Sequence, residues 1–381
     1  MKAKRTLKIP KINSVIVKVI LLIFFTTLFK SSPSFGVSSS AERLKKIEAN
    51  KNYKDGAFFN DVPQSEESFG LWNYISNTFW YDEIRIPPAP LPLVKPNTRD
   101  FSAPPAKGLR TIWLGHSSVL IEQDGFRYMI DPVFSDYASP VQFAGPLRFH
   151  EPPIALKDLP KIDAVLISHD HYDHLDMKTI KYLSVKGTQF YVPIGIGALL
   201  EKWDVPSEQI NEMQWGESKN FGNTQIICTP SRHYSGRGLF DYKEQLWSSW
   251  TVIGRENKVY YSGDTGFSDH FETTANQYGP FDLTIIKVGA YGPGQSWIDV
   301  HMSVEDAVKA HQKLKGKVML PVHWGTFNMG FHDWDEPIKR TVKAASDAGI
   351  TLVTPKLGET VDIKNPYTNI PWWESVNAPN K

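Results

Sequence analysis

The stretch Leu166-Ile-Ser-His-Asp-His-Tyr-Asp-His-Leu-Asp176 decides the fold of this 381-residue chain. It starts within a short apolar run, residues 164–167, that is typical of a buried strand. The run is followed at once by side chains that can bind a metal: His169, Asp170, His171, Asp173 and His174. A solvated polar turn would explain the aspartates but not the three histidines. Because imidazoles and carboxylates together suit a borderline cation such as zinc, the stretch predicts the nucleus of a metal site at a strand end.

Three further apolar runs lead to a residue of the same kind. The first is followed by His233, the second by Asp264 and the third by His323. A single histidine or aspartate after a strand is most often a structural or surface residue. An acid or an imidazole after each of several strands is instead what a site at one edge of a sheet would show. We therefore expect these residues to join the 169–174 cluster.

The remaining pattern predicts an α/β fold with two sheets. Apolar runs at 109–114 and 118–131, with Asp124-Gly125 as a hairpin turn, are typical of an antiparallel meander. Further strands are interspersed with short helices, such as those predicted over 177–184 and 304–314. Because each sheet must bury an apolar face, the expected arrangement is two sheets packed together with helices outside.

The composition supports a sizeable core and argues against nucleic-acid binding. Hydrophobic residues make up 41% of the chain and aromatic residues 13%. The formal net charge of +1 conceals an asymmetry, because residues 1–36 carry seven basic residues and no acidic one. The remainder has 35 basic residues against 41 acidic ones, a net charge of −6. Since nucleic-acid-binding domains usually carry a basic face, no nucleic-acid partner is expected.

Residues 1–36 have the character of an export segment. The basic region 2–11 precedes an apolar run at 19–29, and Ser34-Phe-Gly36 offers small residues for cleavage of a signal peptide. Alternatively, residues 9–29 could remain as one tilted membrane anchor. Both interpretations export the rest of the chain to the cell envelope or periplasm. The chain has a single cysteine, so no internal disulfide is expected there.

The rest of the chain divides into three parts. Residues 37–100 form an N-terminal extension that packs on or beside the core, 101–365 form the main domain, and 366–381 form a C-terminal tail. Within the extension, the aromatic-rich stretch 68–81 either packs across the main domain or forms a lip that faces a membrane. The proline-rich stretch 86–96 must run extended, since proline excludes helix there.

The ligand motifs carry a family resemblance. His-x-His-x-Asp-His, then a distant His, then Gly-Asp-Thr-Gly, and a last His before Trp-Gly-Thr resemble the metallo-β-lactamase superfamily over residues 109–363. Within that superfamily, the flanking residues are most similar to the N-acylphosphatidylethanolamine-hydrolysing phospholipases D. The segments that carry this similarity are Trp113-Leu-Gly-His-Ser-Ser118, Pro230-Ser-Arg-His233, Leu246-Trp-Ser-Ser-Trp250, His301-Met-Ser-Val-Glu-Asp-Ala307 and Pro321-Val-His-Trp-Gly-Thr326.

The resemblance implies a metallo-β-lactamase-like hydrolase domain, an αββα sandwich, with a centre of two Zn²⁺ per chain. One zinc ion would be held by His169, His171 and His233. The other would be held by Asp173, His174 and His323, with Asp264 bridging the two. Asp173, Asp264 and His301 would be catalytic. His301 resembles a histidine that does not bind metal and that could orient the phosphate or protonate the leaving alkoxide, although a surface histidine at the start of a helix is the alternative.

The implied activity is hydrolysis of a phosphodiester by a hydroxide that bridges the two metals. The expected substrates are N-acylphosphatidylethanolamine-like phospholipids, cleaved as by a phospholipase D to phosphatidic acid and N-acylethanolamine. A phospholipid substrate implies a membrane surface as partner, and a homodimer remains open. The alternatives are a metal-dependent hydrolase of a lactone, sugar-phosphate lactone or nucleotide phosphodiester, and a zinc-binding envelope protein without catalysis.

Several other residues are secondary candidates near the site. Asp131 and Asp170 could accept a hydrogen bond from a metal-binding imidazole, as carboxylates commonly do, or either could cap a turn. Arg232 could contact a phosphate or lie on the surface. His116 follows a strand and could approach the site, and Gly236-Arg-Gly238 could form a flexible loop at its mouth.

Overall fold

The computed structural model of the chain describes four stretches, residues 40–65, 82–96, 103–238 and 240–377. The predicted export segment and the aromatic-rich stretch 68–81 lie outside the described residues. Within the four stretches, no helix combines the length and the apolar character needed to cross a bilayer.

The strands, in chain order, are β1 (Tyr53–Lys54), β2 (Ala57–Phe58), β3 (Leu109–Gly115), β4 (Ser118–Gln123), β5 (Phe126–Ile130), β6 (Ala164–Leu166), β7 (Gln189–Pro193), β8 (Ile210–Met213), β9 (Ser218–Phe221), β10 (Thr224–Thr229), β11 (Ser249–Ile253), β12 (Lys258–Tyr261), β13 (Phe281–Lys287), β14 (Gly316–Val322), β15 (Thr351–Leu352) and β16 (Thr360–Asp362). The α-helices are α1 (Ala41–Glu48), α2 (Met177–Ser184), α3 (Gly197–Lys202), α4 (His270–Tyr278), α5 (Gln295–Ile298), α6 (Val304–Lys313), α7 (Glu336–Asp347) and α8 (Trp372–Asn377). Short 3₁₀ turns lie at Leu156–Asp158 and Ser207–Gln209.

Strands β3 to β16 form two seven-stranded sheets of mixed direction. The first has the order β16-β3-β4-β5-β6-β7-β8, antiparallel from β16 to β5 and parallel from β5 to β8. The second has the order β15-β14-β13-β12-β11-β10-β9, parallel from β15 to β12 and antiparallel beyond. The predicted hairpin between β4 and β5 is confirmed, because Asp124 and Gly125 both have positive φ, as a tight two-residue turn requires.

The two sheets pack face to face, and the alternation along β4 shows how. Val119 and Ile121 lie in one buried cluster with Ile226 and Trp250 of the second sheet. Leu120 points the other way, as alternate strand residues must, into a cluster that contains residues of α2 and α3. These two helices therefore cover the outer face of the first sheet.

The outer face of the second sheet is covered by α6 and α7. Helix α6 contacts β13 and β14, and α7 contacts α6 and β15. Val308 of α6 and Ile338 of α7 are buried in the cluster between the layers. Helices therefore flank both sheets, and the predicted αββα sandwich is confirmed.

The first part of the predicted extension packs on this sandwich. Arg43 of α1 pairs with Glu212 at 2.7 Å and with Glu201 at 2.9 Å. Phe58 of β2 is buried in a small cluster with Trp247. Residues 41–58 thus attach to α3 and β8 through ion pairs and to the segment before β11 through an apolar contact.

Helix α8, in the segment predicted as a tail, contributes to the core. Trp372 stacks on Trp324 at a ring-centroid distance of 5.3 Å, and Trp324 stacks on Trp113 at 5.0 Å. Trp373 packs edge-on against Trp324 at 6.0 Å. Because Trp324 directly follows His323, this column of indoles supports the backbone of a predicted metal ligand.

Replacing Trp372 by alanine is expected to lower the free energy of unfolding by about 3–5 kcal/mol, since a buried indole is removed and a cavity remains. Trp372 is 3% exposed. Urea unfolding followed by circular dichroism measures the change. Val185 is 81% exposed, and V185A, the matched control, should stay within about 0.5 kcal/mol of the wild type. A loss below 1 kcal/mol in W372A would contradict the role of the column.

Candidate metal centre

The ends of four strands supply the candidate centre. The loop after β6 carries the histidine-rich stretch, β10 leads to His233, β12 leads to Asp264, and β14 leads directly to His323. These strands belong to both sheets, and their ends meet at one edge of the sandwich. The structure brings together all the residues predicted as ligands, namely His169, His171, Asp173, His174, His233, Asp264 and His323.

One group of three imidazoles could hold a cation. Ligand atoms of His169, His171 and His233 all lie within 4.8 Å of one another. His171 Nδ1 lies 2.9 Å from His169 Nε2 and 3.4 Å from His233 Nε2. His233 Nδ1 donates to the Val300 carbonyl at 3.0 Å, which leaves Nε2 as a lone-pair nitrogen that faces its neighbours. Three such nitrogens facing each other suit a metal ion.

A second group lies beside the first. Asp173, His174 and His323 form it together with His116, and all four side chains are buried. His174 Nε2 lies 3.2 Å and His323 Nε2 lies 3.4 Å from Asp173 Oδ2. His116 Nε2 donates to the same oxygen at 2.8 Å. The sequence-based expectation that His116 could approach the site is confirmed, and the structure gives it a contact with the carboxylate of Asp173.

Asp264 lies between the two groups. Its Oδ2 atom is 3.1 Å from His323 Nε2 and 3.4 Å from His174 Nε2, in the second group. The same atom is 3.9 Å from His233 Nε2, in the first group. A single carboxylate thus reaches both sets of imidazoles, which is the geometry that a bridging ligand needs.

Buried atoms without hydrogen bonds show that the residues fit a metal. Among the residues that the structure describes, His174 Nε2, His323 Nε2 and Asp264 Oδ1 are buried and have no hydrogen-bond partner. Buried polar atoms are otherwise almost always paired, so orphan atoms in one place require an explanation. A coordinated cation would satisfy all three at once.

The electrostatics of the site favour cation binding. Burial lowers the pKa of His169 and His233 well below the usual value and that of His171 to about 4, so these imidazoles are neutral at pH 7 and their lone pairs are free. Burial alone would raise the pKa of Asp173 and Asp264, but the neighbouring histidines hold both well below the usual value. Two ionised carboxylates therefore lie among the imidazoles, and although burial alone would lower the pKa of His174, these carboxylates raise it well above the usual value.

Asp131 supports the second group from behind. Its Oδ2 atom accepts from His174 Nδ1 at 2.7 Å, and Ser168 Oγ and Tyr261 Oη donate to the same atom at 2.5 Å. His169 Nδ1 donates in turn to Ser168 Oγ at 2.9 Å. The predicted supporting role of Asp131 is confirmed, and this network turns Nε2 of both histidines toward the centre.

Asp170 contacts the backbone rather than a histidine, so its expected supporting role is wrong. Its Oδ1 atom accepts from the Gly236 N–H at 2.8 Å. Burial raises the pKa of Asp170 to about 6. Arg237 is also buried: its guanidinium donates to the Leu175 carbonyl at 2.9 Å and lies 3.8 Å from the Tyr172 ring. Residues 236–238 therefore contact the histidine loop through Asp170, Leu175 and Tyr172.

Arg232 is also occupied within the fold. It pairs with Asp299 at 3.0 Å, and it donates to the carbonyls of Val62 and Pro63 in the extension. The expectation of a phosphate contact therefore finds no support, because the guanidinium is turned toward the extension.

Asn60, also in the extension, fixes the backbone of His233. Its side chain donates to the His233 carbonyl at 2.9 Å and accepts from the His233 N–H at 3.0 Å. The Trp247 indole N–H donates to the same Asn60 oxygen at 3.0 Å. Sequence reasoning missed Asn60, because the residue lies 173 positions from its partner and carries no motif.

Replacing Asn60 by alanine is expected to lower the free energy of unfolding by about 1–3 kcal/mol, since it leaves buried backbone groups of His233 unpaired. Metal affinity should fall as well, because His233 loses its fixed position. Chemical denaturation and competition with a chelator measure the two effects. Asn220 is exposed and provides the control N220A, which should change neither the free energy of unfolding nor the metal affinity. Wild-type metal affinity in N60A would refute the contact's role in the site.

His301 lies beside Asp264, outside the two groups above, and forms a further group of possible ligands with Asp264 and His233. Its Nδ1 atom is 3.6 Å from Asp264 Oδ2 and 3.1 Å from the Nζ atom of Lys287. The ring is 13% exposed, whereas Asp264 is 2% exposed. His301 is therefore not the surface histidine of the alternative interpretation, because it lines the same site as the acid.

A cavity of about 400 Å³ opens above these residues. Its floor is polar and comprises His171, Asp173, Asp264, His301 and His323. Its walls carry the less polar side chains Ala138, Tyr172, Tyr234, Trp297 and Met329. The arrangement presents a charged floor to one part of a ligand and mostly apolar walls to another.

A family model described as "Beta-lactamase superfamily domain" matches residues 126–324, about half of the chain. The chain belongs to this superfamily. The match includes every predicted ligand from His169 to His323, and the described His and Asp groups are of the kind that binds metal. These findings support a metallo-hydrolase.

The chain is also similar to individual proteins. The chain is 37% identical to a Caenorhabditis elegans protein named N-acyl-phosphatidylethanolamine-hydrolyzing phospholipase D 1, over 71% of this chain and 79% of the relative. It is 40% identical to an uncharacterized Mycobacterium tuberculosis protein, over 86% of this chain and 88% of the relative. The predicted resemblance is confirmed. A metallo hydrolase from Ignicoccus hospitalis shares the fold with a TM-score of 0.53 and 22% identity, covering 67% of this chain and 98% of that structure.

In this member of the superfamily, Lys287 is a second residue, after Asn60, that sequence reasoning missed. It ends β13, within the run Leu283-Thr-Ile-Ile-Lys-Val288, whose pattern predicts a strand. A lysine inside an apolar run was the available signal, because a fully buried ammonium group needs a partner. The partner, His301, comes from a different segment and could not be assigned from sequence.

Proposed function

We propose that this protein is a zinc-dependent phosphodiesterase of the phospholipase D type. Its proposed substrates are N-acylphosphatidylethanolamine-like phospholipids, cleaved to phosphatidic acid and N-acylethanolamine. The observation that carries the proposal is the position of Asp264, whose carboxylate reaches both groups of imidazoles beneath a cavity with apolar walls. The name of the C. elegans relative supports the substrate class.

The proposed ligands fall into two sets, one for each zinc ion. His169, His171 and His233 would hold one zinc ion. Asp173, His174 and His323 would hold the other, and Asp264 would be shared. Two zinc ions, when bound, would lower the pKa of water at the site and stabilise negative charge on the phosphate.

The residues around the cavity would orient the lipid. The phosphodiester would lie at the floor, where the histidines and aspartates would hold the cations that attract it, whereas Tyr172, Tyr234 and Trp297 in the walls offer apolar surface to the acyl or glycerol part. His301 lies at the border between floor and walls. Its imidazole is placed to donate a hydrogen bond to an oxygen of the phosphodiester as negative charge develops there.

Exposed apolar side chains support a membrane surface as partner. Phe143 is 62% exposed in the loop whose Ala138 lines the cavity. Phe240 is 80% and Tyr242 58% exposed, and the Tyr242 ring lies 5.6 Å from Tyr234 in the cavity wall. Aromatic side chains that project near the mouth suit contact with a lipid interface. Together with the export segment expected at the N terminus, this contact favours a protein of the cell envelope or periplasm.

The proposal is tested by an assay panel on the zinc-reconstituted protein. Vesicles of N-acylphosphatidylethanolamine, bis-p-nitrophenyl phosphate and a set of lactones are supplied in parallel, and products are followed by mass spectrometry. We expect release of N-acylethanolamine that is lost with a chelator and restored by zinc. Turnover of lactones alone would overturn the lipid substrate, and turnover unaffected by complete metal removal would overturn the metal chemistry.

A further inference from the structure

Lys287 is a fully buried lysine next to the candidate metal centre, and the proposed chemistry has not used it. It lies at the end of β13 and is 0% exposed. Its backbone N–H donates to Ser262 Oγ at 3.0 Å, so the residue is anchored to the loop that carries Asp264. Burying a lysine is unfavourable unless its nitrogen has a partner. The partner is the His301 imidazole, whose Nδ1 atom is 3.1 Å from Lys287 Nζ.

The direction of this hydrogen bond fixes the tautomer of His301. A charged lysine nitrogen carries three N–H groups and no lone pair, so in this contact it donates. Burial lowers the pKa of Lys287 to about 8, which keeps most of the group charged at pH 7. His301 Nδ1 must then accept, which places the ring proton of the neutral imidazole on Nε2. Since Nδ1 is held by Lys287, Nε2 is the ring nitrogen left for the cavity that His301 lines.

Asp264 is an alternative hydrogen-bond partner for Nδ1 of His301. Its Oδ2 atom lies 3.6 Å from the same Nδ1 atom. If Lys287 were absent, a proton on Nδ1 could bind this carboxylate, and Nε2 would then be a bare acceptor. A bare Nε2 cannot donate to an oxygen of a phosphodiester. Lys287 thus determines whether Nε2 of His301 donates or accepts a hydrogen bond in the cavity.

We infer that Lys287 is a positioning residue that holds His301 with its Nε2–H directed at the leaving oxygen of the substrate. The inference deepens the proposed function and rests on it for the identity of the substrate. His301 is the donor that touches the substrate, and Lys287 acts through it. The backbone of His301 is fixed as well, because its N–H donates to the Trp297 carbonyl at 2.8 Å.

This role predicts a dependence on the leaving group. Ethanolamine-type alkoxides are poor leaving groups and need a hydrogen bond as the ester bond breaks, whereas p-nitrophenolate leaves without one. Lys287→Met should therefore lower kcat on N-acylphosphatidylethanolamine by about 10²–10³-fold, the usual effect of losing one such donor. KM should change little, and kcat on bis-p-nitrophenyl phosphate should fall less than about tenfold.

The second measurement does not depend on turnover. Nitrogen-15 NMR of histidine-labelled protein, with the His301 signals assigned from H301Q, reports which ring nitrogen carries the proton. We expect protonated Nε2 in the wild type and protonated Nδ1 in K287M. Protonated Nδ1 in the wild type would overturn the inference even if K287M failed to fold.

The control is a second lysine on the neighbouring strand. Lys258 of β12 donates to the Tyr278 carbonyl at 2.8 Å, away from the site, so K258M should match the wild type in both measurements. An equal loss of K287M activity on both esters would mean a merely structural role and would overturn the inference. If the wild type cleaves neither ester, the proposed function fails, and the NMR result still decides the tautomer.

Discussion

Replacing Asp264 by asparagine is expected to lower kcat for phosphodiester hydrolysis by about 10³-fold, equivalent to about 4 kcal/mol, while the protein stays folded. The carboxylate reaches His323 at 3.1 Å, His174 at 3.4 Å and His233 at 3.9 Å. An amide oxygen carries no charge, so it binds two cations far more weakly than a carboxylate oxygen does. The shape of the side chain is kept, which separates loss of bridging from loss of packing.

The measurement combines turnover with zinc content. D264N is reconstituted with zinc, its metal is quantified, and release of N-acylethanolamine from vesicles is followed. Asp204 is 85% exposed and pairs only with a surface lysine among the described residues, so D204N provides the matched control. We expect D204N to behave as the wild type. Turnover of D264N within tenfold of the wild type would refute the bridging role.

Replacing Asp131 by alanine should have the second largest effect. Asp131 and His174 are both 0% exposed and lie 2.7 Å apart, and Ser168 and Tyr261 donate to the same carboxylate oxygen. Removing the carboxylate leaves these buried donors without an acceptor, which should cost about 3–5 kcal/mol of stability. His174 also loses its orienting partner, so zinc affinity should fall about 10–100-fold.

Zinc affinity of D131A is measured by competition with a chromogenic chelator, and stability by urea unfolding of the metal-free protein. D131N, which keeps the size and one acceptor, should be affected less in both respects. Wild-type zinc affinity in D131A would contradict the view that the hydrogen bond from His174 orients this ligand.

The fold was predictable where the sequence pattern is strong. Strands such as β4 and helices such as α2 were predicted at or within a few residues of their ends, because apolar residues define their buried faces. Strands β8 and β9 were missed, since Ile210-Asn-Glu-Met213 and Ser218-Lys-Asn-Phe221 lie at sheet edges and carry little apolar surface. Helix α8 was missed as well, because its six residues give too short a pattern to separate from a tail.

For the candidate site, the ligand set was predictable from the sequence, but the supporting contacts were not. The ligand set could be read because imidazoles and carboxylates after strand ends form a local signal that a family motif reinforces. The contacts of Asn60 with His233 and of Lys287 with His301 arise only when distant segments meet. Neither has a characteristic spacing, so only the folded structure reveals them.

The most direct test of the account is the metal content of the purified protein. After removal of all metal and reconstitution with excess zinc, followed by desalting, elemental analysis should give two zinc ions per chain. H233A, which removes a ligand of one group alone, should retain about one. A wild-type protein that retains no metal after this procedure would contradict the claim that distant residues of the chain converge on a pair of cations.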